Sequence, residues 1–434
     1  MINKSLLKEL ILSQRKIFLN IENPIEREVI QNILFDKIDA LKEAVVITGV
    51  RRSGKSFLMR LIWKKIKEKK KTSEENFLYF NFEDEKLLNF SATDLSILLE
   101  CFYEVVDVDK KNKVYLFFDE IQNISRWEKF INRLLEDKRY KIYITGSNAR
   151  LLSKEIGTAL TGRNYPINLF PLSFGELVKY KLGETGENDF YDSDKKKEIK
   201  KVFNQYFKNG GFPEIVINQF RPLLQEYLKN IVYRDIMLRK KIKSEINLRE
   251  IVSFVSSNIG VILSYENIAK MTEIKSLMTV KNYISYLIDA YLFFSVPKHS
   301  FSIKKQIYNP DKLYLIDAGL YQEVAVTHSL NVGRILENIV FIELKNRGKE
   351  IFYFSDKKEC DFVAVSKRKI ESLIQVTDHL DANNREREIG GLLEAMEKYK
   401  LSSGLILTSD DDEEIILQNR TIIVKPIWKW LLEK

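Results

Sequence analysis

Gly49, Val50, Arg51, Arg52, Ser53, Gly54, Lys55 and Ser56 follow one another along the chain. They fill the pattern G-x-x-x-x-G-K-[ST] at every required position. Glycines at 49 and 54 let backbone N–H groups curl around a phosphate without a Cβ in the way. Lys55 is placed to reach the β- and γ-phosphates of a nucleotide, and the Ser56 hydroxyl to coordinate Mg²⁺. The flanks are those this chemistry needs. Val45, Val46, Ile47 and Thr48 form a β-branched run before the glycines, while Phe57, Leu58, Leu61 and Ile62 follow at helical spacing. Strand, glycine loop and helix in that order bring a helix N-terminus and its favourable dipole to the phosphates. A chance match in a glycine loop is the alternative, and the agreement of both flanks argues against it.

A second run, Val114 to Phe118, is a buried-type strand ending in Asp119 and Glu120. In phosphate-loop enzymes such a strand lies beside the loop. Asp119 would hold Mg²⁺, directly or through water, and Glu120 would orient or deprotonate the attacking water. Read alone, these residues are an ordinary strand ending in a solvated acidic turn; downstream of a matched loop they read as catalytic. A third strand, Lys141 to Thr145, runs into Gly146, Ser147 and Asn148. Parallel strands deliver their functional groups at their C-terminal ends, so Asn148 is a candidate sensor of the γ-phosphate or the lytic water. Arg163, after Gly162, is a candidate arginine finger, with Arg150 competing for the role. The plainer alternative is an arginine in a surface loop.

Together these stretches resemble the archaeal-type ATPase family, AAA-like proteins related to the STAND NTPases. The resemblance rests on residues 49–56, on Asp119, Glu120, Ile121 and Gln122 with Trp127 following, and on Thr145 to Asn148. Thr161, Gly162 and Arg163 leading to Pro171, Leu172, Ser173, Phe174 and Glu176 also fit, as do Gly210, Gly211, Phe212, Pro213 and Glu214. The paired Arg51 and Arg52 separate this group from generic phosphate-loop proteins. The resemblance covers most of the chain and is firmest over residues 25–215. It implies ATP and Mg²⁺ as cofactors, and an ATPase core, a helical lid, a winged helix and a C-terminal domain like the PD-(D/E)xK nucleases. It implies no particular cellular role.

The 434 residues leave room for roughly two to four domains. No run is long and apolar enough for a membrane span, and Met1 to Ile11 mixes charges into its apolar positions, as an amphipathic helix does and a signal peptide does not. Two cysteines, Cys101 and Cys360, and three scattered histidines, His299, His328 and His379, make neither a disulfide framework nor a zinc site. These features point to a soluble protein of a reducing cytoplasm. The net charge of +9 favours polyanionic partners. Runs such as Lys64 to Lys71 also read simply as a solvated, basic helix end.

Stepping outward from the motifs, the elements alternate. A helix and connector occupy residues 1–24, and Pro24 to Leu41 reads as a helix leading into the first core strand. Phe77 to Phe82 is a strand, Leu95 to Val106 a helix, and Ile167 to Phe170 the last strand. Repeated βα alternation predicts a parallel sheet with helices on both faces. The expected architecture is therefore α/β and multidomain: a phosphate-loop ATPase core with its N-terminal helix over 1–172, a helical lid over 173–244 interrupted by a polar loop from Gly183 to Lys197, a winged helix over 245–328, and a nuclease-like α/β domain over 329–434.

In the winged-helix region, Ser264 to Thr272 and Leu277 to Ala290 read as two helices, and Tyr291 to Phe294 and Lys312 to Ile316 as strands of a wing. Lys275, Lys281 and Asn282 are the candidates to face DNA, although no base-reading arginine stands out. In the last domain Glu337 and Asp361 match two acidic positions of the nuclease resemblance. Its third strand, Leu373 to Thr377, carries Gln375 and Thr377 where an acid and a lysine belong. Losing a metal carboxylate and a catalytic cation should sharply weaken phosphodiester cleavage, so this domain reads as degenerate.

Two functions stay open. One is an ATPase whose nucleotide cycle regulates binding to DNA or RNA. The other is a nucleotide-driven switch acting on a protein partner or on a second copy of the chain. An ATP-regulated nuclease ranks below both.

Overall fold

The computed structural model describes residues 3–20, 24–32, 35–109, 111–148, 160, 162–242, 244–324, 331–417 and 419–433. Arg150, Thr161 and His328 lie outside them. The chain divides into two compact units, Met1–Leu169 and Phe170–Lys434.

The first unit is built on five parallel strands: β1 (Ala44–Thr48), β2 (Phe77–Asn81), β3 (Val114–Asp119), β4 (Tyr140–Gly146) and β5 (Asn164–Asn168), in the order β2-β3-β4-β1-β5. Side chains alternate between its faces. Val46, Phe80, Leu116, Phe118 and Ile144 pack with helices α1 (Lys4–Leu19), α3 (Asp94–Val105) and α4 (Trp127–Leu135). Val45, Ile47, Phe77, Phe117 and Tyr143 pack against α2 (Lys55–Lys70) on the other face. Helices on both faces are what the βα alternation predicts.

Both edges of this sheet are accounted for. Strand β2 is one edge, and α1 lies along it: the Asn81 N–H donates to the Gln14 side-chain oxygen at 2.8 Å, and the Arg15 guanidinium donates to the carbonyls of Phe77 and Glu74. Unpaired edge groups are thereby covered. Strand β5 is the other edge and contains Pro166, a position where a missing N–H costs no ladder bond. This strand begins before the apolar run Ile167 to Phe170 expected to form it, because edge pairing asks only for backbone. Strand β4 lies between β1 and β3. Within Pro24 to Leu41 the described residues are helical over Glu28–Asn32 and Phe35–Ala40.

The second unit opens with α5 (Phe174–Leu182), which a reciprocal Ser173–Glu176 capping box starts. Helix α6 (Ser193–Asn209) begins inside the stretch expected to be a loop. Asp192 sets its start by accepting the N–H groups of Asp194 and Lys195, so a polar sequence became a helix through its cap rather than its periodicity. A π-helical segment, Ile231–Leu238, follows. Then come α7 (Glu245–Ser257), α8 (Tyr265–Met271) and α9 (Leu277–Asp289), and an antiparallel ribbon of β6 (Phe293–Val296) and β7 (Lys312–Leu315). The helix–turn–helix and hairpin read from the sequence are both there, with β6 starting two residues late because Tyr291 turns the chain at φ 59°.

A six-stranded sheet completes the unit. Its strands are β8 (Glu350–Ser355), β9 (Glu359–Ser366), β10 (Lys369–Val376), β11 (Ser403–Thr408), β12 (Glu413–Leu417) and β13 (Arg420–Pro426), in the order β12-β13-β11-β10-β9-β8. Helices α10 (Val332–Asn346) and α11 (Arg385–Tyr399) belong to the same sheet's surroundings. The edge strand β12 was not read from the sequence: it opens with Glu413 and Glu414 after three aspartates, and almost all of it is exposed.

Asp317 ties the middle of this unit together. It is buried, and its carboxylate accepts the N–H of Gly211 at 2.7 Å and of Gly319 at 2.9 Å. This gives the Gly210-Gly211 pair a physical role: Gly210, at φ +72°, leaves no room for a Cβ beside the Asp317 carboxylate. Burial outweighs the backbone donors and pushes the Asp317 carboxyl up to about 6, from an ordinary 3.8. A carboxyl raised in the folded state binds its proton more tightly there than when unfolded. Its contribution is therefore fully present below about pH 4 and is lost as pH rises through 6. Chemical denaturation of the wild type and of Asp317→Asn should show the wild type's relative stability falling by about 2 kcal/mol between pH 4 and pH 7. A constant difference would exclude this titration.

Candidate functional site

The phosphate-loop residues lie where β1 runs out of the sheet. Thr48 ends the strand, and its carbonyl accepts the Leu169 N–H at 2.7 Å. This pulls the segment after β5 against the loop. A Cβ on Gly49 would come within 2.1 Å of the Leu169 carbonyl oxygen. The first motif glycine is thus demanded by a neighbouring backbone as well as by any phosphate. Arg52 and Gly54 both take left-handed conformations, at φ 69° and 95°, and α2 starts at Lys55. The loop is braced by Arg27, whose guanidinium donates to the Ser53 carbonyl at 3.1 Å, and by an Arg51–Glu83 ion pair at 2.6 Å. Val50 is fully buried. The Ser53 hydroxyl is buried and has no hydrogen-bond partner among the described residues, an orphan donor inside a loop of this shape.

Lys55 is 5% exposed. Its ammonium donates to the carbonyls of Gly49 at 3.3 Å and Val50 at 3.2 Å, and stands 3.4 Å from a Glu120 carboxylate oxygen. The loop, the end of β3 and the end of β4 therefore converge on one point. Asp119 is buried and accepts hydrogen bonds from the Tyr79 hydroxyl at 2.8 Å, from Thr145 and from Ser56. Burial, and then the charge of Glu120, push its carboxyl above the ordinary range against those three donors. Glu120 takes a left-handed conformation at φ 51°, a strained choice for a non-glycine residue. Its N–H donates to the Thr145 hydroxyl at 2.9 Å, and its carboxylate accepts from Ser147 at 3.3 Å and from Gln122.

Lys55, Ser56, Asp119 and Glu120 thus stand together, as the motifs predict, and Asn148, two residues past the end of β4, is half-buried. Arg163 does not join them. Its carbonyl accepts the Ala44 N–H at 3.1 Å, which puts it at the beginning of β1, whereas the loop follows the end of that strand. Its guanidinium pairs with Glu136. A finger role for Arg163 toward the loop of its own chain is therefore withdrawn. Sequence reasoning also missed Tyr79, Arg27 and the hydroxyl of Thr145. Tyr79 alternates onto the same face as Phe77 and reads as core. Thr145 was legible only as part of a motif, because its partner Asp119 is 26 positions away.

The Ser56 hydroxyl and the Asp119 carboxylate form an all-oxygen donor pair beside the Lys55 ammonium, which fits Mg²⁺. A parallel sheet with these groups at its C-terminal end, under a glycine loop, defines a phosphate-loop ATPase domain of AAA type. The family described as an AAA domain matches residues 41–178, and one described as a domain of unknown function matches residues 200–331. The chain is 37% identical over 451 residues to an uncharacterized protein of Methanocaldococcus jannaschii, spanning 95% of this chain and 98% of that one. It is 30% identical over 413 residues to an uncharacterized protein of Haemophilus influenzae, spanning 93% of this chain and 97% of that one. It belongs with them in the archaeal-type family of AAA-like phosphate-loop ATPases. Among solved structures, AMPPCP-bound DnaA from Aquifex aeolicus is similar at 15% identity and a TM-score of 0.28, over 62% of this chain and 92% of that one. A likeness that low carries nothing further. No helix among the described residues is long and apolar enough to cross a membrane.

Proposed function

We propose that the chain hydrolyses ATP with Mg²⁺ and that its nucleotide cycle regulates binding to nucleic acid. The observation that carries the first part is the pairing of Lys55 with Glu120 and with the loop's own carbonyls. In this arrangement the ammonium is held by partners that a triphosphate outcompetes. Its transfer to the β- and γ-phosphates takes the ammonium off Glu120, whose carboxylate then orients and deprotonates water beside the reacting phosphate. Ser56 and Asp119 would hold the Mg²⁺, which would neutralise phosphate charge when bound. The N–H groups of residues 49–56 bind the phosphate oxygens. Asn148 reads the γ-phosphate from the end of β4.

The nucleic-acid part rests on the helix–turn–helix and ribbon, read as a winged helix. Lys275, Lys281 and Asn282 are exposed at the turn before α9 and on its first turns. A second reading, a switch acting on a protein partner, is favoured by one observation. The connection between β6 and β7 presents Phe301, Ile303, Ile307 and Tyr308, each at least 74% exposed, and exposed apolar clusters mark contact surfaces.

Replacing Lys55 by Ala should abolish ATP binding, because it deletes the cation that meets the phosphates. Glu120→Gln should retain ATP while turnover falls by a factor of about 100 or more, the shape being kept and the basicity lost. Equal turnover in Glu120→Gln and wild type would remove Glu120 from the chemistry. The two readings part in a DNA and RNA titration with and without ATP·Mg²⁺. Salt-dependent binding that changes with nucleotide is expected. No binding at low salt in either state would favour the protein-partner switch.

A further inference from the structure

The nuclease resemblance asks for a divalent cation between Glu337 and Asp361. Those two carboxylates do lie together, with Glu359 as a third. What stands among them is the ammonium of Lys312, at 2.5 Å from Glu359, 3.7 Å from Glu337 and 3.7 Å from Asp361. Lys312 is not part of the six-stranded sheet. It is the first residue of β7, in the ribbon that follows the helix–turn–helix. Its side chain is 1% exposed, and the ammonium also faces the Tyr353 ring, 5.5 Å from its centre. Two positions on, Tyr314 donates its hydroxyl to Glu337 at 2.5 Å.

Other polar atoms around the cluster are engaged as well. The second oxygen of Asp361 accepts the Val376 N–H at 2.9 Å. The side-chain oxygen of Gln375 accepts the Asp361 N–H at 3.2 Å, and its amide donates to Glu388 at 2.6 Å. Thr377 donates to the His379 carbonyl at 3.2 Å. Mg²⁺ and Mn²⁺ need several oxygens free to close to about 2.0–2.2 Å around one point. Here that point holds an ammonium, and one of the three oxygens facing it, that of Glu337, already accepts from Tyr314. The residues present do not fit a divalent cation.

We propose that Lys312 is the resident cation of this carboxylate cluster, delivered from the ribbon in place of a metal ion. Buried carboxylates need a counter-charge, and removal of a single partner from such a group leaves an uncompensated charge. A lysine meets that need permanently, independent of metal supply. The sheet domain is then metal-independent, and the ribbon is fixed to it by charge. Where the nuclease resemblance asks for an acid and a lysine at 375 and 377, this chain has Gln375 and Thr377, and its cation comes from Lys312.

The test uses the full chain without nucleotide, with Mn²⁺ as the probe, followed by equilibrium binding and by thermal unfolding. Wild type and Asp361→Asn should bind Mn²⁺ identically, since no metal uses Asp361. Lys312→Ala should unfold at lower temperature than wild type. Mn²⁺ should restore part of that loss, and the restoration should vanish in Lys312→Ala/Asp361→Asn. A Mn²⁺ site in the wild type that Asp361→Asn removes would overturn the proposal, and that comparison stands even if Lys312→Ala fails to fold. Mn²⁺ leaving Lys312→Ala as unstable as before would overturn it as well.

Discussion

An ammonium and two carboxylates, Lys55, Asp119 and Glu120, are buried at the same end of one parallel sheet. Charges taken out of water must be paired, and paired with good geometry. Much of the first unit can be read as the means of doing so. The strand order puts β4 between β1 and β3, and this delivers Thr145 to a position where its one hydroxyl both accepts from Glu120 and donates to Asp119. Tyr79 reaches Asp119 from β2 on the far side. The loop carbonyls of Gly49 and Val50 accept hydrogen bonds from the Lys55 ammonium. The result is a set of donors and acceptors already aimed at one point, which is what a charged ligand needs if binding is not to require reorganisation.

The second unit meets the same requirement twice, with different solutions. At Asp317 a lone buried carboxylate is met by backbone N–H groups, and burial still holds its carboxyl up at about 6. Beside the six-stranded sheet three carboxylates, Glu337 on α10 and Glu359 and Asp361 on β9, share a lysine from outside the sheet. Backbone donors fix one conformation of the Gly210-Gly211 turn; a lysine fixes one segment of chain against another. Each arrangement binds elements far apart in sequence, so each acts on the tertiary structure more than on local propensity.

Local signals explain how much the sequence disclosed. The loop motif, the strands with their apolar runs and the helix–turn–helix were legible because each is written within about a dozen consecutive residues. Asn164 to Asn168 and Glu413 to Leu417 were misplaced or missed because edge strands need backbone pairing and little apolar character. Helix α6 was cut short because its first turn is polar and its start is set by Asp192. The assignment of Arg163 failed on topology: nothing near it in sequence says which end of the sheet it occupies, and only the pairing of β5 with β1 decides that. Lys312 was read simply as a wing residue, since its partners Glu337, Glu359 and Asp361 lie beyond any local window.

The central claim is that the loop and the ends of β1, β3 and β4 form one nucleotide site. Calorimetric titration of ATP into the wild-type chain tests it most directly, with Mg²⁺ present and then with Mg²⁺ chelated. One saturable site per chain, weakened when Mg²⁺ is removed, is the predicted result. Absence of saturable binding at millimolar ATP with Mg²⁺ would contradict the account.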